Sequence, residues 1–342
     1  MATLSSPNVH ELCRKITPHM QKIIGIGNCL VDVLAPIESD EALATLGLPK
    51  GSMQLIGEGQ LEAVQRYISA IPHSRTTGGS SANTIKALAH LGIQTGFIGK
   101  IGQDEPGTFF RSQQQATGIH STLITEPTGA TGTAYTFISP DGQRTFATYL
   151  GVASTLRDTD FSTAQFSGYD LLYIEGYLVQ NHPMIEQAMR LAKAQGLQVC
   201  LDLASYNIVE ADRDFFRHLL TNYVDIVFAN EEESHAFTGL EPQAALRALG
   251  ELCPIAIVKL GAQGATVMAH GESHACPAEL VDHVKDTTAA GDYFAAGFLY
   301  GLLHQRPFSE CLQIGSRLSG EVIQVVGTTL SEQQWNHLRS TL

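Results

Sequence analysis

The chain has 342 residues, a net charge of −13 from 34 acidic and 21 basic residues, and a hydrophobic fraction of 44%. The excess of negative charge argues against nucleic acid or an anionic membrane surface as a bulk partner. No run approaches the ~18 apolar residues of a membrane span. The six cysteines are widely spaced without a CxxC pair, which predicts buried free thiols rather than a disulfide frame or a zinc site. The N-terminus carries charges and lacks an apolar signal region, so we expect a cytoplasmic protein.

The first apolar segment is typical of a strand. Residues 22–27 form it, and residues 29–34 continue it in β-type residues. Gly25-Ile26-Gly27 begins a dinucleotide-type pattern, but Leu30 stands where the third glycine would be and the next segment is strand-like. These two observations argue against a nicotinamide dehydrogenase. The carboxylate of Asp32, alone in an apolar strand, needs partners, and it either binds ligand hydroxyls or caps a turn.

A Gly-Gly-Ser-Ser run at 78–81 precedes a predicted helix that is closed by Gly92. The two serines are ordinary N-cap candidates. The two glycines, Gly78 and Gly79, permit close approach of a ligand to the backbone. Asn83, one turn into the helix, either presents a paired donor and acceptor to a diol or is a solvated amide.

Residues 121–150 change character. Two β-type runs, 133–138 and 145–150, flank a turn at Asp141-Gly142, which predicts an antiparallel hairpin. Together with strands around 30–56, this hairpin can form a small sheet apart from the main one. Such an excursion beside a ligand site commonly serves as a lid.

The second half of the chain has a regular pattern, in which helical segments separate strands about thirty residues apart. The predicted strands are 171–175, 198–202, 225–229 and 255–259. This alternation predicts an α/β fold, a doubly wound, mostly parallel sheet with helices on both faces. Ligands in such sheets bind beyond the carboxyl ends of the strands. We expect four residues at or just past those ends to share one crevice: Glu175, Asp202, Asn230 and Gly261.

Two strand ends carry further candidate residues. Asn230 and Glu233 stand three apart at a helix start, so both can face one side. The pair suits a hydrated Mg²⁺ and the phosphates it bridges, or else a capping residue followed by acidic first-turn charges. The strand–turn–strand element from Lys259 contains Gly261 and Gly264, which either border a nucleotide or form a tight β-turn.

The run Asp286–Asp292 leads directly into an apolar helix-forming segment. A helix that starts near Ala289 has unpaired N–H groups in its first turn, where the macrodipole also favours negative charge. Ala289, Ala290 and Gly291 have almost no side chain, so a large anion can approach the backbone, and Asp292 lies beside it. An anion cradle next to a carboxylate is what phosphoryl transfer to an alcohol needs. The alternative is a small-residue helix start whose aspartate complements the dipole.

With these residues in view, the chain resembles the ribokinase/PfkB family of carbohydrate and nucleoside kinases over roughly residues 22–330. The resemblance is carried by the segments 78–92 and 286–299, in this order and spacing. It implies a ribokinase-like fold, one kinase domain spanning the chain, and a β-lid formed by about 30–56 and 128–150. It also implies ATP and Mg²⁺ as cofactors, with a small nucleoside or sugar as the other substrate.

The resemblance also implies roles for single residues. Asp292 matches the catalytic base that deprotonates the acceptor hydroxyl, and the anion-hole N–H groups come from Ala289, Ala290, Gly291 and Asp292. The residues expected to hold the acceptor are Asp32, Asn28, Gly78, Gly79, Asn83 and Glu175. Those expected to hold ATP and its phosphates are Asn230, Glu233, Lys259, Gly261 and Gly264. Of these, Asn230 and Glu233 would also organise Mg²⁺ through water.

Two expectations concern an ion and a partner. Many members hold a monovalent cation, K⁺, through backbone near the positions of Asp286 and Thr288. Members also often dimerise through the lid sheet, so a homodimer is one expected assembly.

Within the family, three segments are most similar to a bacterial adenosine-kinase-like branch, so adenosine is the first expected acceptor: 27–32, 50–53 and 175–177. The segment 202–205 departs from adenosine kinases and fructokinases alike. Sugar kinases of the ribokinase, fructokinase or 2-keto-3-deoxygluconokinase type therefore remain open. A non-catalytic nucleoside or sugar sensor would be expected to have lost Asp292 or the pair at 230 and 233, and both are present.

Overall fold

The structure, a computed structural model, describes residues 22–342. Its strands are β1 (Lys22–Ile26), β2 (Leu30–Pro36), β3 (Met53–Leu55), β4 (Ser74–Gly78), β5 (Gln94–Gly102), β6 (His120–Glu126), β7 (Gly132–Ile138), β8 (Arg144–Tyr149), β9 (Leu171–Glu175), β10 (Gln198–Asp202), β11 (Ile226–Asn230), β12 (Ile255–Lys259), β13 (Ala265–Ala269) and β14 (Glu272–Cys276). Its α-helices are α1 (Glu41–Thr45), α2 (Glu58–Ile68), α3 (Ser80–His90), α4 (Glu105–Ala116), α5 (Thr163–Phe166), α6 (His182–Ala194), α7 (Tyr206–Ala211), α8 (Arg213–Asn222), α9 (Glu231–Thr238), α10 (Pro242–Gly250), α11 (Ala290–Leu303), α12 (Phe308–Val322) and α13 (Glu332–Thr341). The predicted lack of a signal region, and Cys13, lie outside the described residues.

The larger sheet has nine strands in the order β14-β13-β12-β11-β10-β9-β1-β5-β6. The seven strands from β12 to β6 are parallel, and β13 and β14 add an antiparallel edge. The central strands are continuous apolar runs; Ile255–Lys259, for example, reads IAIVK with its first four residues buried. Such runs are typical of strands covered on both faces. The predicted doubly wound α/β architecture is confirmed.

Alternate side chains of these strands enter two separate cores, because successive residues of a strand point to opposite faces. Tyr173 and Phe228 belong to the core on the side of α3, α11 and α12, where Phe228 meets Phe298 edge-to-face at 5.5 Å between ring centroids. Leu172 and Val227 belong to the core on the opposite face, which α6, α8 and α10 cover. The two helical layers hold the strand ends rigidly in place.

The smaller sheet has five strands in the order β3-β8-β7-β2-β4. Its centre is the predicted β7–β8 hairpin, which is confirmed: Gly142 has φ +83° in the turn and donates its N–H to the Ser139 carbonyl oxygen at 2.8 Å. The strand β4 joins this sheet and β6 joins the larger one, and the sequence analysis identified neither. Both are edge strands with polar residues, so they lack the apolar run by which the buried strands were recognised.

The expectation that residues 29–34 continue the first strand is wrong. The strand β1 ends at Ile26, and β2 begins at Leu30 in the other sheet, where Leu30 pairs with Gly78 and Gly132. The chain leaves the larger sheet at Asn28, whose backbone and side-chain N–H groups both bind Glu175 at the end of β9. A local β-propensity cannot distinguish one long strand from two strands in different sheets, because tertiary hydrogen bonds decide the break.

Two composition-based expectations can be compared with the described residues. Between residues 22 and 342, no helix combines the length and the apolar character needed to cross a bilayer. Five cysteines in this range are free and buried, which confirms the predicted thiols for Cys29, Cys200, Cys253, Cys276 and Cys311.

Candidate active site

A cavity of about 1680 Å³ is lined by the carboxyl ends of the parallel strands and by the smaller sheet. The last residues of four neighbouring strands line this cavity, and so does Gly261, shortly after the end of β12. The four strand-end residues are Glu175, Asp202, Asn230 and Lys259. The predicted shared crevice is confirmed, because the parallel strands all end at the same edge of the sheet.

The carboxylate of Asp292, in the first turn of α11, is held by the N-terminus of α3. Ser80 Oγ donates to Asp292 Oδ1 at 2.6 Å, and Asn83 Nδ2 donates to Oδ2 at 3.0 Å. Burial raises the pKa of Asp292 to about 6, although the two hydrogen bonds oppose this shift. Asn83 lines the cavity, and its buried Oδ1 has no hydrogen-bond partner in the described part of the chain. The two segments that carried the family resemblance therefore meet at one carboxylate.

The helix α11 begins as predicted, with Ala289 as its N-cap in a left-handed conformation at φ +62°. The cap has no side-chain hydrogen bond, so the N–H groups of Gly291 and Asp292 point out of the first turn without a capping acceptor. One predicted donor is engaged differently, because the N–H of Ala290 binds the Thr287 carbonyl oxygen at 3.2 Å. Of the four predicted donors, the N–H groups of Ala289, Gly291 and Asp292 stay available to an anion among the described hydrogen bonds.

Lys259 lies beneath this cradle. Its Nζ is 2.9 Å from Asp202 Oδ2, and a Cβ added to Gly291 would lie 3.1 Å from the same Nζ. Burial lowers the pKa of Lys259, but Asp202 and Glu233 outweigh burial and raise it to about 12. The ammonium is therefore a permanent positive charge beside Gly291 at the cavity wall.

Asn230 and Glu233 form a capping box at the start of α9. Glu233 N–H donates to Asn230 Oδ1, and the backbone N–H and Nδ2 of Asn230 donate to the two carboxylate oxygens of Glu233, each at 2.8 Å. The capping interpretation is therefore correct, and both residues also line the cavity. Each carboxylate oxygen keeps a free lone pair, which fits a hydrated Mg²⁺ held mainly by nucleotide phosphates. Burial raises the pKa of Glu233 to about 7, so a nearby cation would favour its ionised form.

Glu175 connects three segments instead of facing open space. Its carboxylate, 1% exposed, accepts hydrogen bonds from Asn28 N–H (2.9 Å), Asn28 Nδ2 (2.6 Å) and Ser81 N–H (2.8 Å). Burial raises its pKa to about 7. Glu175 and Asn28 were predicted to bind the acceptor, and both line the cavity. These contacts show that Glu175 fixes the start of α3 against the end of β1.

Asp32 lies on β2 and lines the cavity. It stands against Gly78 of the neighbouring strand β4, where an added Cβ would come within 2.0 Å of Asp32 Oδ1. Only glycine leaves room for the carboxylate at that place. Burial raises the pKa of Asp32 to about 7.

Asp286 joins three segments around the cradle. Its carboxylate is ion-paired with Arg144 at the start of β8, and it accepts the N–H groups of Thr288 (2.9 Å) and Gly327 (2.7 Å). Burial raises the pKa of Asp286, but these donors outweigh burial and leave the pKa below its usual value. The side chain is thus committed to Arg144, so K⁺ at this place would depend on main-chain carbonyl oxygens.

The turn after β12 has glycines in conformations that other residues adopt rarely. Gly261 has φ +52° and Gly264 has φ +98°, and both line the cavity, as do Ser316, Ser319 and Gly320 of α12. A Cβ at Gly264 would lie 2.0 Å from the Cys276 carbonyl oxygen. The turn is therefore tight, and it also forms one wall of the crevice.

The N-cap of α3 is Gly79 rather than either serine, with φ +95°. We expect Gly79→Ala to destabilise the protein by about 2–4 kcal/mol, because it adds left-handed strain and places a Cβ 2.2 Å from the Asn28 carbonyl oxygen. Gly92→Ala is the matched control, since Gly92 has φ +88° with open space around its Cβ, and it should cost only about 1–2 kcal/mol. Urea unfolding of both variants measures the difference. Equal losses would show that the contact with Asn28 does not matter.

The sequence profile of the pfkB family carbohydrate kinases matches residues 71–335. The chain belongs to the pfkB family. A solved structure of adenosine kinase from Sinorhizobium meliloti is 31% identical, with a TM-score of 0.83 over 94% of this chain and 99% of that one. Among curated proteins, adenosine kinase 2 of Arabidopsis thaliana is 25% identical over 91% of this chain and 96% of its own length. The ribokinase of Haemophilus influenzae is 30% identical over 70% of this chain and 78% of its own length.

This pfkB kinase transfers a phosphoryl group from ATP to a nucleoside or a sugar. Three residues in or beside the site had no predicted catalytic or binding role: Ser80, Asp202 and Arg144. Ser80 was an N-cap candidate, and Asp202 was expected only to share the crevice. Their positions could have indicated a role in the site, because Ser80 begins α3 and Asp202 ends β10 at the crevice. Arg144 gave no signal, because nothing local shows that the start of β8 reaches Asp286.

Proposed function

We propose that this kinase phosphorylates the primary hydroxyl of a nucleoside, with adenosine as its first acceptor. The observation that carries the proposal is an apolar strip that the smaller sheet and the chain after it add to the cavity near Asp32: Leu30, Ala134, Phe146, Leu150 and Leu156. A purine has flat apolar faces that such a strip would cover. A free pentose or hexose offers no comparable surface.

Relatives of both acceptor classes align with nearly the whole chain. The two adenosine kinases align with more than nine tenths of it, and a probable sugar kinase from Rhizobium etli covers 93% of it. The apolar strip, and not the extent of the alignments, therefore favours a nucleoside. The ribokinase is nevertheless 30% identical, so a sugar kinase of the ribokinase, fructokinase or 2-keto-3-deoxygluconokinase type is the second candidate. A sensor without catalysis is a third candidate, and the intact Asp292 environment speaks against it.

In the proposed reaction Asp292 accepts the proton of the acceptor hydroxyl. The hydroxyl oxygen forms its bond to the γ-phosphorus as the bond between that phosphorus and ADP breaks. The N–H groups of Gly291 and Asp292 hold the phosphoryl oxygens, and the Lys259 ammonium beside Gly291 favours the same negative charge. Asp32 and Asn83 would fix the acceptor's ring hydroxyls, which sets the direction of attack.

ATP would lie between the turn at 261–264 and α12, with its phosphates directed towards the start of α11. Asn230 and Glu233 would hold Mg²⁺ through water. Bound Mg²⁺ would neutralise charge on the phosphates. The smaller sheet would act as the lid that excludes water from the reaction.

Several expectations stay predictions at this point. They are a cytoplasmic location, a homodimer formed through the smaller sheet, the absence of nucleic-acid and membrane partners, and K⁺ bound by main-chain oxygens near Thr288. The ion pair between Arg144 and Asp286 bears on the last of these, because it takes the one carboxylate that K⁺ could use there.

The acceptor is tested by ADP release from Mg-ATP against adenosine, other nucleosides, ribose, fructose and 2-keto-3-deoxygluconate. We expect kcat/KM for adenosine to exceed that for ribose by about 100-fold or more, because burying the base adds binding that ribose lacks. The matched ligand is 5′-deoxyadenosine, which lacks the reacting hydroxyl and should inhibit without being turned over.

Preference for a free sugar would contradict the nucleoside assignment while leaving the catalytic roles intact. Turnover of no acceptor, with ATP still bound, would favour the sensor.

A further inference from the structure

A lysine that the proposed reaction does not use is buried in α3. Lys86 is 8% exposed and stands three residues after Asn83, on the same side of the helix. Its Nζ donates to three neutral oxygens: Thr77 O (3.2 Å), Thr77 Oγ1 (3.4 Å) and Thr328 Oγ1 (3.3 Å). Burying an ammonium among neutral partners costs free energy. Packing alone therefore gives no reason for a lysine here.

The carboxylate of Asp32 stands against the same part of β4 that Lys86 contacts. Lys86 binds the carbonyl oxygen of Thr77, and the next residue, Gly78, is the one against which Asp32 stands. The ammonium and the carboxylate thus flank one short piece of β4. Asp32 lines the cavity, whereas Lys86 does not. The positive charge therefore acts from behind the cavity wall without touching a ligand.

The charges around this pair oppose one another. Burial raises the pKa of Asp32 to about 7, Lys86 lowers it, and Asp292 and Asp286 raise it further. Burial lowers the pKa of Lys86 to about 8, while Asp32 and Asp292 oppose that shift. His90 lies one turn further along α3, and burial together with the charge of Lys86 lowers the pKa of His90. Among these groups, Lys86 is the cation that favours ionised Asp32.

We propose that Lys86 is a positioning residue that favours the ionised form of Asp32, so that Asp32 accepts hydrogen bonds from two neighbouring hydroxyls of the acceptor. An ionised carboxylate only accepts hydrogen bonds, whereas a protonated one has a donor that would face a hydroxyl less favourably. Lys86 thereby determines specificity for a vicinal diol. This inference rests on the proposed function, because it takes Asp32 as the group that holds the ring hydroxyls.

The test compares Lys86→Gln and Lys86→Met with the wild type. Gln keeps a donor towards the Thr77 carbonyl oxygen, and Met keeps the length of the side chain, but both lack the charge. Losing the charge should raise the pKa of Asp32 by about one unit. The KM for adenosine should then rise roughly five- to tenfold at pH 6.5 with kcat nearly unchanged. At pH 9 the KM values of the variants and of the wild type should agree within about twofold. At that pH Asp32 is ionised in all of these proteins, and Lys86 of the wild type is neutral.

The Asp32→Asn background supplies the control. There Lys86→Gln should change KM by less than about twofold, since no carboxylate remains to respond. Binding of adenosine by calorimetry without ATP should reproduce the pH-dependent difference, and thermal unfolding of each variant at both pH values separates it from loss of fold. A KM increase of equal size at pH 6.5 and pH 9, or an equal effect in the Asp32→Asn background, would overturn the inference.

Ribose replaces adenosine in these measurements if the acceptor panel identifies a sugar kinase. The nucleoside assignment and the role of Lys86 can thus fail independently.

Discussion

Asp292→Asn is expected to lower kcat by about 10²- to 10⁴-fold, because the amide cannot take the proton of the acceptor hydroxyl. Asparagine keeps the shape of the side chain, and its Oδ1 still accepts the hydrogen bond from Ser80. Its Nδ2 can donate to Asn83 Oδ1, which has no partner in the described part of the chain, once the Asn83 amide turns. ATP affinity should therefore stay near the wild-type value. Steady-state ADP release together with ATP titration measures both quantities. Wild-type turnover in this variant would remove Asp292 from the role of base.

The pH dependence of the same group gives an independent check. The pKa of Asp292 is raised to about 6, so kcat should fall as the pH drops through about 6 and should be level above about 7. A carboxyl group whose pKa is raised in the folded state destabilises the fold when it is ionised. The unfolding temperature of Asp292→Asn should thus equal or exceed that of the wild type at pH 7. This advantage should disappear below about pH 4, where the group is protonated in both folded and unfolded chains.

Gly291→Ala is expected to lower kcat by about 10²-fold without loss of stability. The added Cβ would stand 3.1 Å from Lys259 Nζ, at the place where the phosphoryl group approaches the backbone donors. The contact is with the end of a side chain, so a shift of a few tenths of an ångström that keeps the ion pair with Asp202 relieves it. The folded state should gain up to about 1 kcal/mol, because alanine restricts the unfolded chain more than glycine does.

Gly59→Ala is a matched control for this substitution. Gly59 is also the second residue of a helix, α2, and nothing lies within 4 Å of its added Cβ. We expect a similar change in stability and an unchanged kcat, measured by urea unfolding and ADP release. An equal loss of activity in both variants would mean that the anion cradle does not explain the effect.

The strands of the larger sheet could be predicted because each one carries its own signal. Continuous apolar runs such as Ile255–Lys259 indicate strands covered on both faces, and their spacing indicates parallel crossovers. The sequence signal for the hairpin around Gly142 is equally local. The edge strands β4 and β6 were not predicted, since a half-exposed strand need not be apolar, and its sheet is defined only by its neighbour.

The site residues also fall into two groups, those that local sequence indicates and those that only the fold brings together. The helix start at Ala289 and the carboxylate of Asp292 follow from local sequence, as do the glycines beside α3. Of the two alternatives at Asn230, the capping box is confirmed, and the Mg²⁺ role stays a prediction. Glu175 is a residue whose contacts local sequence could not indicate, although it was expected to bind the acceptor. Its bonds to Asn28 and Ser81 are visible only once the chain is folded.

The sequence by itself determined the fold class and the kinase family, and it predicted the segment proposed for the chemistry, because periodicity and helix-start geometry are encoded in neighbouring residues. The tertiary structure alone decided which distant groups act on one another: Arg144 on Asp286, Asp202 on Lys259, and Lys86 on Asp32. The physical reason is that burial and charge pairing depend on separations in space, and the chain brings together groups that are 54 or more residues apart in these three pairs.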